Sequence, residues 1–370
     1  MPDPNEDKGE WMVRRFLAFV IAATSLFAEH VYIGTSGKGI YLADFDTKSG
    51  KLSAPAMVYD TAAPSYLTID GHFLYAVNEV KEGTVSAFSI DHSSGKLSLL
   101  NTMSVKSAGP CYIAIDKGGH SAITANYSGG SITVLPIAGD GKLGEATAFI
   151  QNKGSGPNRD RQTGPHPHWV GFIPASKLAL IADLGLDEVA IYNFDAKKGK
   201  LTVGNPAFMT IPPGSGPRHG AMNGGKFFYV INELSSNIIE FFYEAELKRF
   251  TAVQTVSTLP EGFKGDNTGA EIAIHPSGKF LYASNRGHDS IAVFSVNDPK
   301  RGTLALVEHV PSGGKTPRQF EIDPSGHWLL AGNQGSDSIG IFSIDASTGK
   351  LTAAGVVTGV PKPTCIKFAR

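Results

Sequence analysis

Asp46-Thr-Lys-Ser-Gly-Lys-Leu52 and Asp91-His-Ser-Ser-Gly-Lys-Leu97 are two copies of one turn, an acidic residue followed by Gly-Lys-Leu. Further copies stand at Asp140-Gly-Lys-Leu143, Asp195-Ala-Lys-Lys-Gly-Lys-Leu201, Asp298-Pro-Lys-Arg-Gly-Thr-Leu304 and Asp345-Ala-Ser-Thr-Gly-Lys-Leu351. A degenerate copy, Glu244-Ala-Glu-Leu-Lys-Arg-Phe250, fills the remaining gap and brings the total to seven. The copies recur about every 50 residues, and a period of ~40–50 residues built from short strands is the signature of propeller blades.

Two further motifs keep that period. Ahead of each turn runs an aliphatic strand ending in Asn or Asp, as in Leu74-Tyr-Ala-Val-Asn78, Phe228-Tyr-Val-Ile-Asn232 and Leu281-Tyr-Ala-Ser-Asn285, and then an alternating strand such as Val85-Ser-Ala-Phe-Ser-Ile90. Before both comes a strand opened mostly by proline, as in Pro110-Cys-Tyr-Ile-Ala-Ile115, Pro217-Arg-His-Gly-Ala-Met222 and Pro317-Arg-Gln-Phe-Glu-Ile322. Short period-two runs bounded by Asp, Gly, Ser and Pro are strands, and no helical period follows residue 30. A fourth strand after each turn completes a four-stranded antiparallel blade. The fold is therefore expected to be all-β, a seven-bladed propeller. The chain ends on a first-strand motif, Pro363-Thr-Cys-Ile-Lys-Phe368, and its first strand motif, Tyr32-Ile-Gly-Thr, is of the second kind. One blade should then be assembled from both ends, closing the ring.

Composition narrows the function. Lys plus Arg number 33 against 34 acidic residues, a balance that argues against nucleic acid or an anionic membrane as main partner. Only Cys111 and Cys365 are present, which excludes a disulfide framework, an iron–sulfur cluster and a thiolate zinc site. They fall in blades that are not neighbours, so no bond between them is expected. Residues 1–28 contain Arg14-Arg15 and then the apolar run Phe16 to Phe27, the pattern of a secretory leader too short to span a bilayer comfortably. On that reading 29–370 is the mature domain, periplasmic or secreted. The alternative is a cytoplasmic protein whose first buried element is this run. A monomer is the default expectation.

The opening proline and the closing Asn or Asp of neighbouring strands lie at the same end of a blade, so they ring one mouth of the channel. The residues just after the proline change from small to charged around the ring: Ser65, Cys111, His168, Arg218, Ala270, Arg318 and Thr364. The next positions include His219 and Glu271, and the residues after the closing Asn include Glu233 and Arg286. Strand repeats need only turn formers here, so the charged residues are the functional signal. Arginines at a mouth present bidentate donors to carboxylate or phosphate, and a carboxylate and imidazole beside them supply acid and base. A structural ion-pair network would use the same residue types. The longest interval between turns holds the insertion 153–164 before Pro165-His-Pro-His168, expected to lie over this mouth as a lid or specificity loop. His166 and His168 have no third ligand at a helpful spacing, so no metal or other cofactor is expected.

The stretches Gly164-Pro-His-Pro-His168, Gly216-Pro-Arg-His219, Asn232-Glu-Leu234, Ala270-Glu-Ile272, Asn285-Arg-Gly-His-Asp-Ser290 and Pro317-Arg-Gln-Phe320 together resemble the seven-bladed propeller lactonases. That family includes bacterial 6-phosphogluconolactonase and the fungal carboxy-cis,cis-muconate lactonising enzyme. The resemblance runs from His30 to Arg370. It implies His168, Arg218, Glu233 and Arg286 as catalytic residues, and their neighbours at the same mouth, His166, His219, Glu271 and Arg318, are expected to bind substrate. It also implies a small acidic lactone or muconate as ligand, handled by hydrolysis of a sugar (phospho)lactone or by cyclisation of a muconate. In the hydrolytic direction Arg218 and Arg286 would anchor the acidic group and polarise the lactone carbonyl, Glu233 or His168 would activate water, and His219 would orient or protonate the leaving oxygen. A non-catalytic propeller that binds protein or glycan at this mouth is the reading from another class.

Overall fold

The computed structural model describes residues 28–298 and 300–369. Its strands form seven antiparallel sheets, six of them running from an inner to an outer strand in chain order. Blades 1 to 6 occupy 66–104, 110–151, 167–210, 217–257, 268–311 and 317–358. Blade 7 takes its inner strand, Pro363–Phe368, from the C-terminal end and its other strands from 28–62. In it, Val31 to Thr35 pair with Phe368 back to Pro363, which is the expected closure. Each inner strand packs against the inner strands of both neighbouring blades, so the ring has no free inner edge. The strand Ala28–Thr35 starts at Ala28, and the rest of the expected leader lies outside the described residues. Among the described residues no helix is long and apolar enough to cross a membrane, and the degenerate repeat becomes a three-residue 3-10 turn, Ala245–Leu247.

The apolar residues of the repeat meet between blades. One cluster joins Leu180, Val189 and Ile191 of blade 3 to Phe228, Val230 and Ile239 of blade 4, and another joins Tyr229 and Ile231 to Leu281 and Phe294 of blade 5. The core is thus a set of wedges between blades, and the stretch that recurs in sequence recurs because each wedge presents the same two faces.

The Gly-Lys-Leu turn has a second duty there. Tyr75 Oη donates to Gly141 O at 3.0 Å, Tyr229 to Gly302 O at 2.6 Å and Tyr282 to Gly349 O at 2.7 Å, each from the second strand of one blade to the turn of the next. Gly141 and Gly349 have φ of 81° and 73°, a region that favours glycine. A Cβ at either would come within 2.4 Å of Phe73 or Phe280 from the preceding blade. Backbone conformation and inter-blade packing therefore select the same residue.

Candidate active site

The residues that break the repeat are aimed by a recurring bulge. Pro167 faces Asp183, Pro217 faces Asn232 and Pro317 faces Asn333, and in each blade the ladder then resumes one residue out of step. His168, Arg218 and Arg318 are the residues left without a partner across the ladder. In blade 5, Ala270 and Glu271 share the irregular stretch between Gly269 and Ile272. A bulge bends the strand and redirects a side chain, here at the mouth of the channel. The closing Asn residues are structural: Nδ2 of Asn78, Asn285 and Asn333 donates to Ala62 O, Thr258 O and Ser312 O at the end of the preceding blade, at 2.7, 2.7 and 3.0 Å. They hold fixed the positions that follow, Arg286 among them, whereas Asn232 before Glu233 donates within its own blade to Asn237 Oδ1 at 2.7 Å.

Glu233 is the centre of the site. Its Oε2 lies 3.0 Å from Arg218 Nε and 2.8 Å from Arg286 Nη2, and its Oε1 lies 2.5 Å from Arg161 Nη2. Arg218 Nε is at ion-pair distance but not aligned as a hydrogen bond, since it counts among the buried polar atoms without such a partner. Arg218 Nη1 donates to Ala270 O at 2.7 Å and Arg286 Nη2 to Gly269 O at 3.1 Å, which fixes both guanidinium groups. Burial alone would raise the Glu233 carboxyl, but Arg286 and Arg218, with His168 and Arg161, outweigh it and hold it far below the usual carboxylate range. A carboxylate so stabilised is a poor proton acceptor. The same crowding pushes Arg218 down to about 10, through burial and then through Arg286 and Arg318.

Beside this cluster lie two imidazoles. His219 Nδ1 is 2.9 Å from Glu271 Oε1, and both residues are buried. The His168 ring meets the His219 ring edge to face at 5.1 Å between centroids. Burial lowers both histidines well below their ordinary value, reinforced for each by Arg218, so both are neutral at neutral pH. Burial raises Glu271 to about 7, against the pull of Arg218 and Lys367.

A cavity of about 180 Å³ opens over these groups, lined by Glu79, Tyr127, Arg161, His168, Glu233, Arg286 and Arg318. Seven of the eight residues selected from sequence converge here or directly behind: His168, Glu233, Arg286 and Arg318 at the cavity, Arg218 and His219 beneath it, and Glu271 behind His219. His166 does not line it. Its ring stacks on Tyr127 at 4.4 Å and its Nδ1 lies 2.9 Å from Tyr127 O, so it supports that wall. The expected duties also shift, because Arg218 and Arg286 are engaged with Glu233. Among the described residues, Arg318 has no carboxylate within ion-pair distance and is the guanidinium open to an anion. Sequence reading did not select Tyr127 or Arg161. Arg161 belongs to the insertion expected over this mouth, and an insertion has no equivalent position in other blades against which a charge would stand out. Among the described residues no group of three or more His, Cys, Asp or Glu side chains is placed to hold a metal ion.

Residues 30–368 match the family described as lactonase, 7-bladed beta-propeller. The 6-phosphogluconolactonase of Bacillus subtilis is 36% identical over 345 residues, covering 91% of this chain and 97% of its own. That of Formosa agariphila is 36% identical over 293 residues, 76% of this chain and 81% of its own. The solved structure of the Pseudomonas aeruginosa periplasmic gluconolactonase superposes with a TM-score of 0.88 at 31% identity, covering 93% of this chain and 99% of that one. With a full ring matched and a mouth that gathers an arginine-held carboxylate, two neutral imidazoles and an open guanidinium, the chain belongs to the seven-bladed β-propeller lactonases and is a lactone hydrolase.

Proposed function

We propose that the chain opens the lactone of a sugar acid, with 6-phosphogluconolactone as the leading substrate. The observation that carries this is Arg318, a guanidinium facing a small cavity without a carboxylate of its own, beside three arginines that share the single carboxylate of Glu233 and leave the site with a net positive charge. A ligand bearing a phosphate or carboxylate supplies the missing charge. Arg286, on the wall of the same cavity, then stands where a developing oxyanion on the lactone carbonyl is stabilised. The names of the Bacillus subtilis and Formosa agariphila relatives support the phosphorylated sugar lactone, and that of the Pseudomonas aeruginosa relative the unphosphorylated one.

The test is initial-rate hydrolysis, followed by acid release, of 6-phosphogluconolactone, gluconolactone and carboxymuconolactone. Turnover of the first with kcat/KM above the other two is expected. Conversion of carboxymuconolactone alone would transfer the chain to muconate chemistry, and turnover of none would make it a binding propeller. We also infer export of the chain, which the basic pair and apolar run within residues 1–28 support. Recovery of unprocessed protein from the cytoplasm would reject it.

A further inference from the structure

Beneath the cavity lies a second, enclosed chamber of about 10 Å³, with Ser65, His168, Arg218, His219 and Arg318 among its walls. A space of this size holds a single water molecule if two or more polar groups are present to bind it. Three of these lining residues carry a buried polar atom, Ser65 Oγ, His168 Nδ1 and His219 Nε2, with no hydrogen-bond partner among the described residues. Buried polar atoms are ordinarily satisfied, and three such atoms on the walls of one water-sized chamber mark a ligand site rather than a packing fault. The chamber shares His168 and Arg318 with the cavity, so what it holds is next to whatever the cavity binds.

The orientation of His219 is set from outside the chamber. Its Nδ1 meets Glu271 Oε1 at 2.9 Å, and the same oxygen accepts the Ile272 N–H at 3.0 Å. An ionised Glu271 has no proton to give, so Nδ1 carries the hydrogen and Nε2 carries the lone pair. A base oriented by a third group is the general arrangement for activating a nucleophile. Glu233 does not serve, being bound by three arginines.

Resting on the lactonase reading above, we propose that this chamber holds the hydrolytic water, that His219 Nε2 takes its proton, and that Glu271 is the positioning residue for His219. As the water oxygen bonds to the lactone carbonyl carbon, one water proton passes to His219 Nε2. When the ring C–O bond breaks, its electron pair stays on the leaving oxygen, which accepts that proton from His219 Nε2. The product is the open-chain hydroxy acid, and His219 returns to the neutral form. His168 Nδ1 and Ser65 Oγ hold the water in line. Around His219 stand Tyr66 of blade 1, Tyr112 of blade 2, His168 of blade 3, Arg218 of blade 4, Glu271 of blade 5 and Arg318 of blade 6, while Lys367 of blade 7 faces Glu271. Of these, Glu271 is the group raised to about 7.

Two measurements test this. A high-resolution crystal structure of the unaltered protein should show an ordered water bonded to His219 Nε2 and His168 Nδ1, and a dry chamber overturns the water site. In steady-state hydrolysis of 6-phosphogluconolactone, His219→Gln should lower kcat about 100-fold or more with KM nearly unchanged. The wild type should lose kcat below about pH 7, and Glu271→Gln should lower kcat and abolish that acid limb. A His219→Gln protein that keeps most of its kcat overturns the base, and a Glu271→Gln protein with the wild-type acid limb overturns the positioning role. If the wild type opens no lactone at all, the parent reading fails, and the chamber still stands or falls on the crystallographic result.

Discussion

Arg218 Nε lies 3.0 Å from Glu233 Oε2, and the two residues directly follow Pro217 and Asn232, which face each other across the blade 4 ladder. The pair is buried, with side-chain exposure of 2% and 5%. Removing one partner of such a pair leaves an uncompensated charge and costs about 3–5 kcal/mol. Glu233→Ala is therefore expected to lower the urea midpoint by that equivalent, with the slope of the transition unchanged. A midpoint equal to that of the wild type would show that the three arginines find other compensation.

Arg318 is expected to govern affinity rather than turnover. A hydrogen bond to a charged group is worth about 1.5–3 kcal/mol, so Arg318→Ala should raise KM for 6-phosphogluconolactone by about 10- to 100-fold and leave kcat within a few-fold. Added salt should raise the wild-type KM more than that of the variant. A variant with unchanged KM would exclude Arg318 as the anion anchor.

Stability should depend on pH through Glu271. Its folded-state value is about 7, above the ordinary carboxylate value, so between about pH 4.5 and 7 the folded chain holds a proton that the unfolded chain has lost. Stability from this group is complete at acid pH and declines as pH rises through that window. Burial also raises Glu188 and Glu240 to about 7, so the readout is a difference. Chemical denaturation across this range should show a smaller decline in Glu271→Gln than in the wild type.

Arg161 reaches the site from the insertion with its side chain 38% exposed. An ion pair so exposed contributes about 1 kcal/mol or less. Arg161→Ala should leave the unfolding midpoint almost unchanged while accelerating proteolytic cleavage within 153–164, because the insertion loses its tie to Glu233 and Tyr127. Unchanged cleavage would show that the insertion is held by its other bonds, such as that of Gln162 Nε2 to Leu184 O.

Cys111 and Cys365 are both buried and unbonded. Burial pushes both thiols up, Cys365 to about 12. Neither should react with a thiol reagent in the native protein and both should react in denaturant, and a reductant should leave Tm unchanged. Native labelling would mean that the ring opens locally at blade 2 or blade 7.

The blade count, the closure of the ring and the choice of mouth were legible in the sequence, because turn glycines, alternating strands and opening prolines each serve a local or nearest-neighbour need that recurs in every blade. The positions of His168, Arg218, Glu233, Arg286 and Arg318 were legible for the complementary reason, as departures from what the repeat requires.

What each of those side chains does was decided only by the tertiary structure. Arg218, Arg286 and Arg161 come from blade 4, blade 5 and an insertion, and nothing in their spacing says that all three converge on Glu233. Nor does spacing separate His166, turned against Tyr127, from His168 two residues on, since a bulge between Pro167 and Trp169 sets their directions. The sequence by itself determined the ring and its mouth, because strand period and turn chemistry act over a few residues. The division of labour among arginine, glutamate and histidine is set by distance and burial across blades far apart in the chain, and those exist only once the ring has closed.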